Sequence, residues 1–179
     1  MTAVRSNKAI ALSGCLVNQS LMATGCEAAP AIIRPVIQWA LDNDVGLIPW
    51  TCPETMFAGL PRKTKGIEGY RKDGFGEAAD EWASTFAVYL RRQAKGGIEI
   101  LAIVGVSFSP ACSARRQAYH ANERGLYLAA LEKHMGDTCP AVIDIDRRKE
   151  PEAVKAVLDA LLQPALALSA SSVHKAKEI

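Results

Sequence analysis

Four short apolar runs alternate with longer segments of helical periodicity, and this alternation restricts the chain more than any other feature in it. The runs are Ala9–Leu12, Val45–Trp50, Ile98–Val106 and Val142–Ile145. After the first, Ile32, Ile33, Val36, Ile37, Ala40 and Leu41 recur at helical spacing. After the second, Glu77–Lys95 carries Ala78, Trp82, Phe86, Tyr89 and Leu90 on one face. Gly125–His134 and Pro151–Leu162 read as two further helices. Apolar runs without polar alternation suit strands buried on both faces, and a β-α-β-α order places such strands in a parallel sheet. The expected fold is α/β: a single three-layer, Rossmann-like domain over residues 1–168, with a mostly parallel sheet and helices on both faces. A polar, charged tail follows at 169–179. The run at Ile98–Val106 is the most apolar, which places it centrally.

Three of these runs end in turns that hold cysteine: Ser13-Gly14-Cys15, Thr51-Cys52-Pro53-Glu54 and Ser109-Pro110-Ala111-Cys112. In an open α/β sheet, the residues just past the C-terminal ends of the strands line the ligand crevice. A lone free cysteine reads as a small buried hydrophobe. Three in equivalent positions read as a site assembled by the fold, with one thiolate per loop. Their wide spacing excludes a CxxC zinc module and does not match the clustered cysteines of ferredoxins. Soft thiolates select zinc, copper(I) or an iron–sulfur cluster, and three protein ligands leave a fourth coordination corner open. The odd count of five cysteines, in a chain with no signal-peptide pattern at its start, leads us to expect a reducing, cytoplasmic setting.

Glu54 lies two residues after Cys52 and Ser109 three before Cys112. As isolated residues they are an exposed acid and a Ser-Pro turn residue. Beside a thiolate-held metal, Glu54 could act as general acid or base, and Ser109 would be a rigidly held hydroxyl. Arg115 and Arg116 are candidate ligands for an anionic substrate group, or surface bases. Cys139 falls at the start of a strand, the wrong edge for the site. Cys26, in the loop read over Leu16–Ala29, is a spare ligand at most. His120, His134 and His174 share no metal-ligand spacing. The stretch 59–76 holds five glycines and a cluster of bases, and reads as a long loop that is either a lid or a solvated connection.

Several function classes are excluded or left without support. A net charge of +2 gives no electrostatic footprint for nucleic acid. No apolar run is long enough to span a membrane, and neither GxGxxG nor a P-loop is present. The expected partner is a small molecule, with no nucleic acid and no membrane. The oligomeric state is left open between monomer and dimer.

Taken together, Gly14-Cys15-Leu16-Val17-Asn18-Gln19, Cys52-Pro53-Glu54 with Gly59-Leu60-Pro61, Gly105, and Ser109-Pro110-Ala111-Cys112 resemble the thiouracil desulfidase family and its related branch. Arg124-Gly125-Leu126-Tyr127 is similar to that branch as well. The resemblance extends from about Ile10 to about Ile145. It implies a [4Fe-4S] cluster held by Cys15, Cys52 and Cys112, with one iron not bound by protein. It also implies Glu54 and Ser109 as the acid–base pair. The implied reaction is non-redox, hydrolytic removal of sulfur, as hydrogen sulfide, from a thiouracil or thiouridine nucleotide. In such a reaction the open iron serves as a Lewis acid toward the thiocarbonyl sulfur. Ala111 stands where the family has serine, Ser113 where it has glycine, and Asn18 where the main branch has glycine. These departures leave the three cysteines intact and bear on the pocket wall. Two other readings compete: Cys112 as a nucleophile, which lacks an obvious base, and a non-enzymatic metal- or redox-sensing or sulfur-carrying protein with a three-cysteine metal site.

Overall fold

The structure is a computed structural model and describes residues 4–114 and 123–162. Four strands, β1 (Lys8–Ser13), β2 (Gly46–Trp50), β3 (Glu99–Val106) and β4 (Ala141–Ile145), form one sheet in the order β2-β1-β3-β4. Every strand pair is parallel. The sheet is that of a Rossmann-like α/β domain. The connection from β1 runs to β2 on one side while β3 lies on the other, so the strand order reverses at β1. Ligand crevices form at such a reversal, beyond the C-terminal strand ends.

Side chains alternate across the sheet and fill two separate cores. Ile10 and Leu12 of β1, with Ala102, Val104 and Val106 of β3, face the core beneath α2 (Arg34–Asp42) and α7 (Pro151–Asp159). Ala11 and Ile103 face the opposite core, beneath α5 (Phe75–Lys95) and α6 (Leu126–Met135). Both faces of β1 and β3 are covered, which is why their sequences are almost continuously apolar. Helix α5 buries Phe75, Ala79, Ala83, Ala87 and Leu90 rather than the larger residues beside them. Of the face expected from periodicity, Ala78, Trp82, Phe86, Tyr89 and Leu90, only Leu90 is fully buried, and the alanine stripe lets the helix axis lie close to its neighbours. Trp82 and Phe86 pack at the margin, and Tyr89 is exposed.

Three stretches between β1 and α5 depart from the sequence expectation. The helix expected from Pro30 begins at Arg34, with Pro35 in its first turn. An earlier start would place Pro35 where a backbone N–H is needed. The Ala31 carbonyl instead accepts from the Gln19 N–H at 2.7 Å, and the Ile33 N–H donates to the Leu16 carbonyl at 2.9 Å. The expected loop at Leu16–Ala29 begins within a short helical turn, α1 (Gly14–Val17), and a 3-10 turn over Gln19–Leu21. The expected loop at 59–76 contains α4 (Ile67–Lys72) and runs into the start of α5 at Phe75. Glycine lowers its helix propensity, but burial of Ile67, Tyr70 and Phe75 holds it in place. A further short helix, α3 (Pro53–Ala58), follows β2 directly. Among the described residues no helix is long and apolar enough to cross a membrane. The expected tail at 169–179, and Arg115, Arg116, His120 and His174, lie outside the described residues.

Candidate functional site

The three cysteine turns meet at one cavity of about 700 Å³ beyond the C-terminal ends of β1, β2 and β3. Cys15 enters from α1, a turn made tight by Gly14, where a Cβ would fall 2.4 Å from the Trp50 carbonyl oxygen. Gln19 is buried beneath this turn, donating to the Cys15 carbonyl and accepting the Ala28 N–H at 2.9 Å. Cys52 stands at the N-terminus of α3, with Pro53 and Glu54 in the first turn. Proline suits a position whose N–H has no helical partner, and a carboxylate suits the positive end of the helix.

The third turn folds back over the end of β3. A Cβ on Gly105 would lie 1.9 Å from the Cys112 carbonyl oxygen, so only glycine admits the turn in this position. Gly105 pairs in register with Asp144 of β4. The Asp144 carboxylate accepts from the Ala114 N–H at 2.8 Å, the Ser107 hydroxyl at 2.9 Å and the Ser113 hydroxyl at 3.4 Å. Ser113, which departs from the resembled family's glycine, is thereby tied to the neighbouring strand.

Glu54 and Ser109 are hydrogen-bonded, with Ser109 Oγ donating to Glu54 Oε1 at 3.0 Å. The serine oxygen also accepts the Cys112 N–H at 3.0 Å and the Ala111 N–H at 3.2 Å. Two backbone donors on the oxygen orient the hydroxyl hydrogen toward the carboxylate. The other carboxylate oxygen, Oε2, accepts from Arg62 Nη1 at 3.0 Å and from the Tyr70 hydroxyl at 3.1 Å. Arg62 Nη2 reaches the Leu21 carbonyl at 3.0 Å and lies 3.8 Å from Cys52 Sγ. Burial opposes the guanidinium charge, but Glu54 and then the Cys52 sulfur outweigh it, so the Arg62 pKa is raised. Tyr70 is held protonated by burial and by Glu54.

The Cys15 and Cys112 thiols show the influence of their surroundings. Burial pushes Cys15 up to about 11, with Cys52 adding to the shift and the Ser13 hydroxyl opposing it. Cys112 is raised well above the ordinary thiol value by burial, then by Cys52 and Cys15. Burial therefore disfavours the thiolate forms of Cys15 and Cys112, and a bound cationic metal group would favour them. Among the described residues, no three His, Cys, Asp or Glu side chains converge closely enough to hold a single metal ion. By chemistry alone, three sulfur donors lining one cavity are the kind that soft metal ions and iron–sulfur clusters select.

Sequence reasoning missed Arg62, Tyr70 and Asp144. Arg62 and Tyr70 lie in the stretch 59–76 that reads as a loop, and Asp144 lies within the strand expected over Val142–Ile145. Cys26 lines the cavity, and its backbone carbonyl accepts from Arg147 Nη2 at 2.7 Å. Cys139 precedes β4 at the opposite sheet edge from the site. His134 pairs with Asp80 at 3.1 Å, away from the cavity.

Fold and site together define an all-parallel α/β protein with a three-cysteine crevice beside a carboxylate–hydroxyl pair. The chain is similar to an uncharacterized protein of Methanocaldococcus jannaschii, MJ0003, at 26% identity over 97 residues. That alignment covers 54% of this chain and 62% of the archaeal protein, so the match spans less than two thirds of that protein's length. No family model matches the chain, and no solved structure does.

Proposed function

We propose that the protein is an iron–sulfur-dependent desulfidase, which removes sulfur from a thiolated small molecule of the thiouracil or thiouridine nucleotide class. The observation that carries this reading is the 3.0 Å hydrogen bond between Ser109 and Glu54, set in a cavity that three cysteines also line. Cys15, Cys52 and Cys112 would hold a [4Fe-4S] cluster with one iron free of protein ligands. When bound, such a group supplies a Lewis-acidic position for the thiocarbonyl sulfur.

The chain's own residues manage the protons. Glu54 takes a proton from water as the oxygen adds to the thiocarbonyl carbon. Ser109 shares that proton along its hydrogen bond and the pair returns it to the departing sulfur, which takes its second proton from the added hydroxyl, by way of Glu54, as the carbonyl forms. The C–S bond breaks, a C=O bond forms, and sulfur leaves as hydrogen sulfide with no net redox change. Arg62 and Tyr70 occupy Oε2, which keeps Oε1 directed at Ser109. A metal- or redox-sensing protein with a three-cysteine site is the alternative, and it has no use for an oriented carboxylate–hydroxyl pair.

Anaerobic reconstitution with iron and sulfide, followed by assay of sulfide release from thiolated bases, nucleosides and nucleotides, tests the reading. Cys15→Ala, Cys52→Ala and Cys112→Ala are each expected to lose iron and the brown thiolate-to-iron absorbance. Glu54→Gln and Ser109→Ala are expected to retain iron and lose roughly 100-fold or more in turnover, the scale of positioned acid–base catalysis. Full turnover in Glu54→Gln, or a colourless protein that releases sulfide, overturns the proposal.

A further inference from the structure

We propose that Phe108 is the surface on which a planar heterocyclic ligand stacks within this cavity. The inference rests on the reading of the site given above, and adds the residue that selects for ring planarity. Phe108 has φ 67°, in the left-handed region. The other described non-glycine residues with positive φ are Asn7 and Asp44. Those types tolerate the conformation because their short polar side chains bond locally, whereas a phenylalanine there is an outlier.

Strain of this kind persists where the surroundings impose it, and it gathers at ligand-binding positions. Here the chain is fixed on both sides of Phe108. The Ser107 N–H donates to the Ile145 carbonyl at 3.0 Å, and the Ser107 hydroxyl to Asp144 at 2.9 Å. The Ser109 N–H donates to the Val106 carbonyl at 3.2 Å, and Ser109 Oγ to Glu54 at 3.0 Å.

Burial does not offset the strain. Phe108 is 42% exposed and belongs to neither apolar core. Among the described residues its ring pairs with no other aromatic ring. The strained conformation places Phe108 in the cavity lining, one residue from the hydroxyl that bonds Glu54. An apolar aromatic face next to a polar pair is the pattern of a site that takes a flat ring by its face and its heteroatoms by their edge.

Equilibrium dialysis of the full chain against uracil and, separately, uridine monophosphate tests this, alongside urea denaturation of the same proteins. Phe108→Gly is expected to raise the denaturation midpoint, because glycine takes this φ freely. The same change is expected to weaken uracil binding roughly 5- to 100-fold, the scale of one lost base–aromatic stack. Phe108→Tyr should bind within about threefold of wild type, and Phe108→Leu, which lacks a π face, should fall with the glycine variant. Equal binding by Phe108→Gly, a leucine variant that matches tyrosine, or no wild-type binding of either probe at millimolar concentration overturns the inference. Uracil carries no sulfur, so the two readings fail separately. Phe108-dependent uracil binding without sulfide release from thiouracil sinks only the desulfidase reading. Sulfide release at unchanged KM in Phe108→Gly sinks only this one.

Discussion

Arg62 meets three partners at once: the Glu54 carboxylate, the Leu21 carbonyl and the Cys52 sulfur. Its side chain is 5% exposed and that of Glu54 12%, so the ion pair lies out of water. Removing one member of a buried pair leaves the other charge uncompensated, which is far more damaging than losing a surface pair. Arg62→Leu is therefore expected to lower stability by about 3 kcal/mol. In a double-mutant cycle with Glu54→Gln, the loss for the double variant should be smaller than the sum of the singles, as read by urea denaturation. Strict additivity would mean that the two side chains do not depend on each other. Arg62→Lys should not rescue, since a point ammonium cannot reproduce a fork that bonds two oxygens in different directions. At this scale the sequence distinguished Glu54 and Ser109, because each lies close to a cysteine along the chain. Arg62 gave no such signal. Its partners are a carboxylate on α3 and a carbonyl from the 3-10 turn after β1, and only the tertiary fold brings them together.

Elements position the site through close approaches as much as through bonds. Gly105 belongs to β3, yet its role is to leave space for the Cys112 carbonyl. Gly105→Ala must move backbone rather than a flexible side chain, so a loss of at least about 2 kcal/mol is expected from overpacking alone. The displaced turn should also reduce iron retention, while Cys15 and Cys52 keep their own turns. Unchanged stability and iron content would show that the third turn does not rest on β3 in this way. The strands were legible because both faces are buried and their apolar runs are uninterrupted. The stretch containing α4 was hidden by its glycines, since its helicity comes from burying Ile67 and Tyr70 rather than from propensity. In α5 the face expected from Ala78, Trp82, Phe86, Tyr89 and Leu90 meets the buried stripe only at Leu90, because Phe75, Ala79, Ala83 and Ala87 fill the rest of that stripe. Proline position, by contrast, accounts for where α2 begins, once the neighbouring carbonyls are seen to be engaged elsewhere.

For the molecule as a whole, buried tyrosines shape the alkaline limit. Tyr127 of α6 is raised above its ordinary value of 10.0, by burial first and then by Cys112. Its ring lies 5.7 Å from that of Trp50, within the α5–α6 core. A group whose folded pKa exceeds its unfolded one contributes stability that is complete below the unfolded value and is lost as pH rises through the folded one. Stability should therefore fall with rising pH above about 10, and Tyr127→Phe should flatten that fall. Urea midpoints for the two proteins at neutral and strongly alkaline pH measure the difference, and parallel curves would exclude Tyr127 as a contributor. The layer architecture and the shared sheet edge of the cysteine turns were both readable from alternation alone. The network among those turns was not, because hydrogen bonds between residues such as Ser109 and Glu54 leave no periodic trace in a sequence.

The three cysteines arrive on successive strands of the chain, with β3 completed only at Val106. A nascent polypeptide that has not yet reached residue 112 carries two of them and lacks the strand that seats the third. Any group held by all three sulfurs would find its full donor set only once translation has passed residue 112, and the four-stranded sheet behind it only once β4 is made.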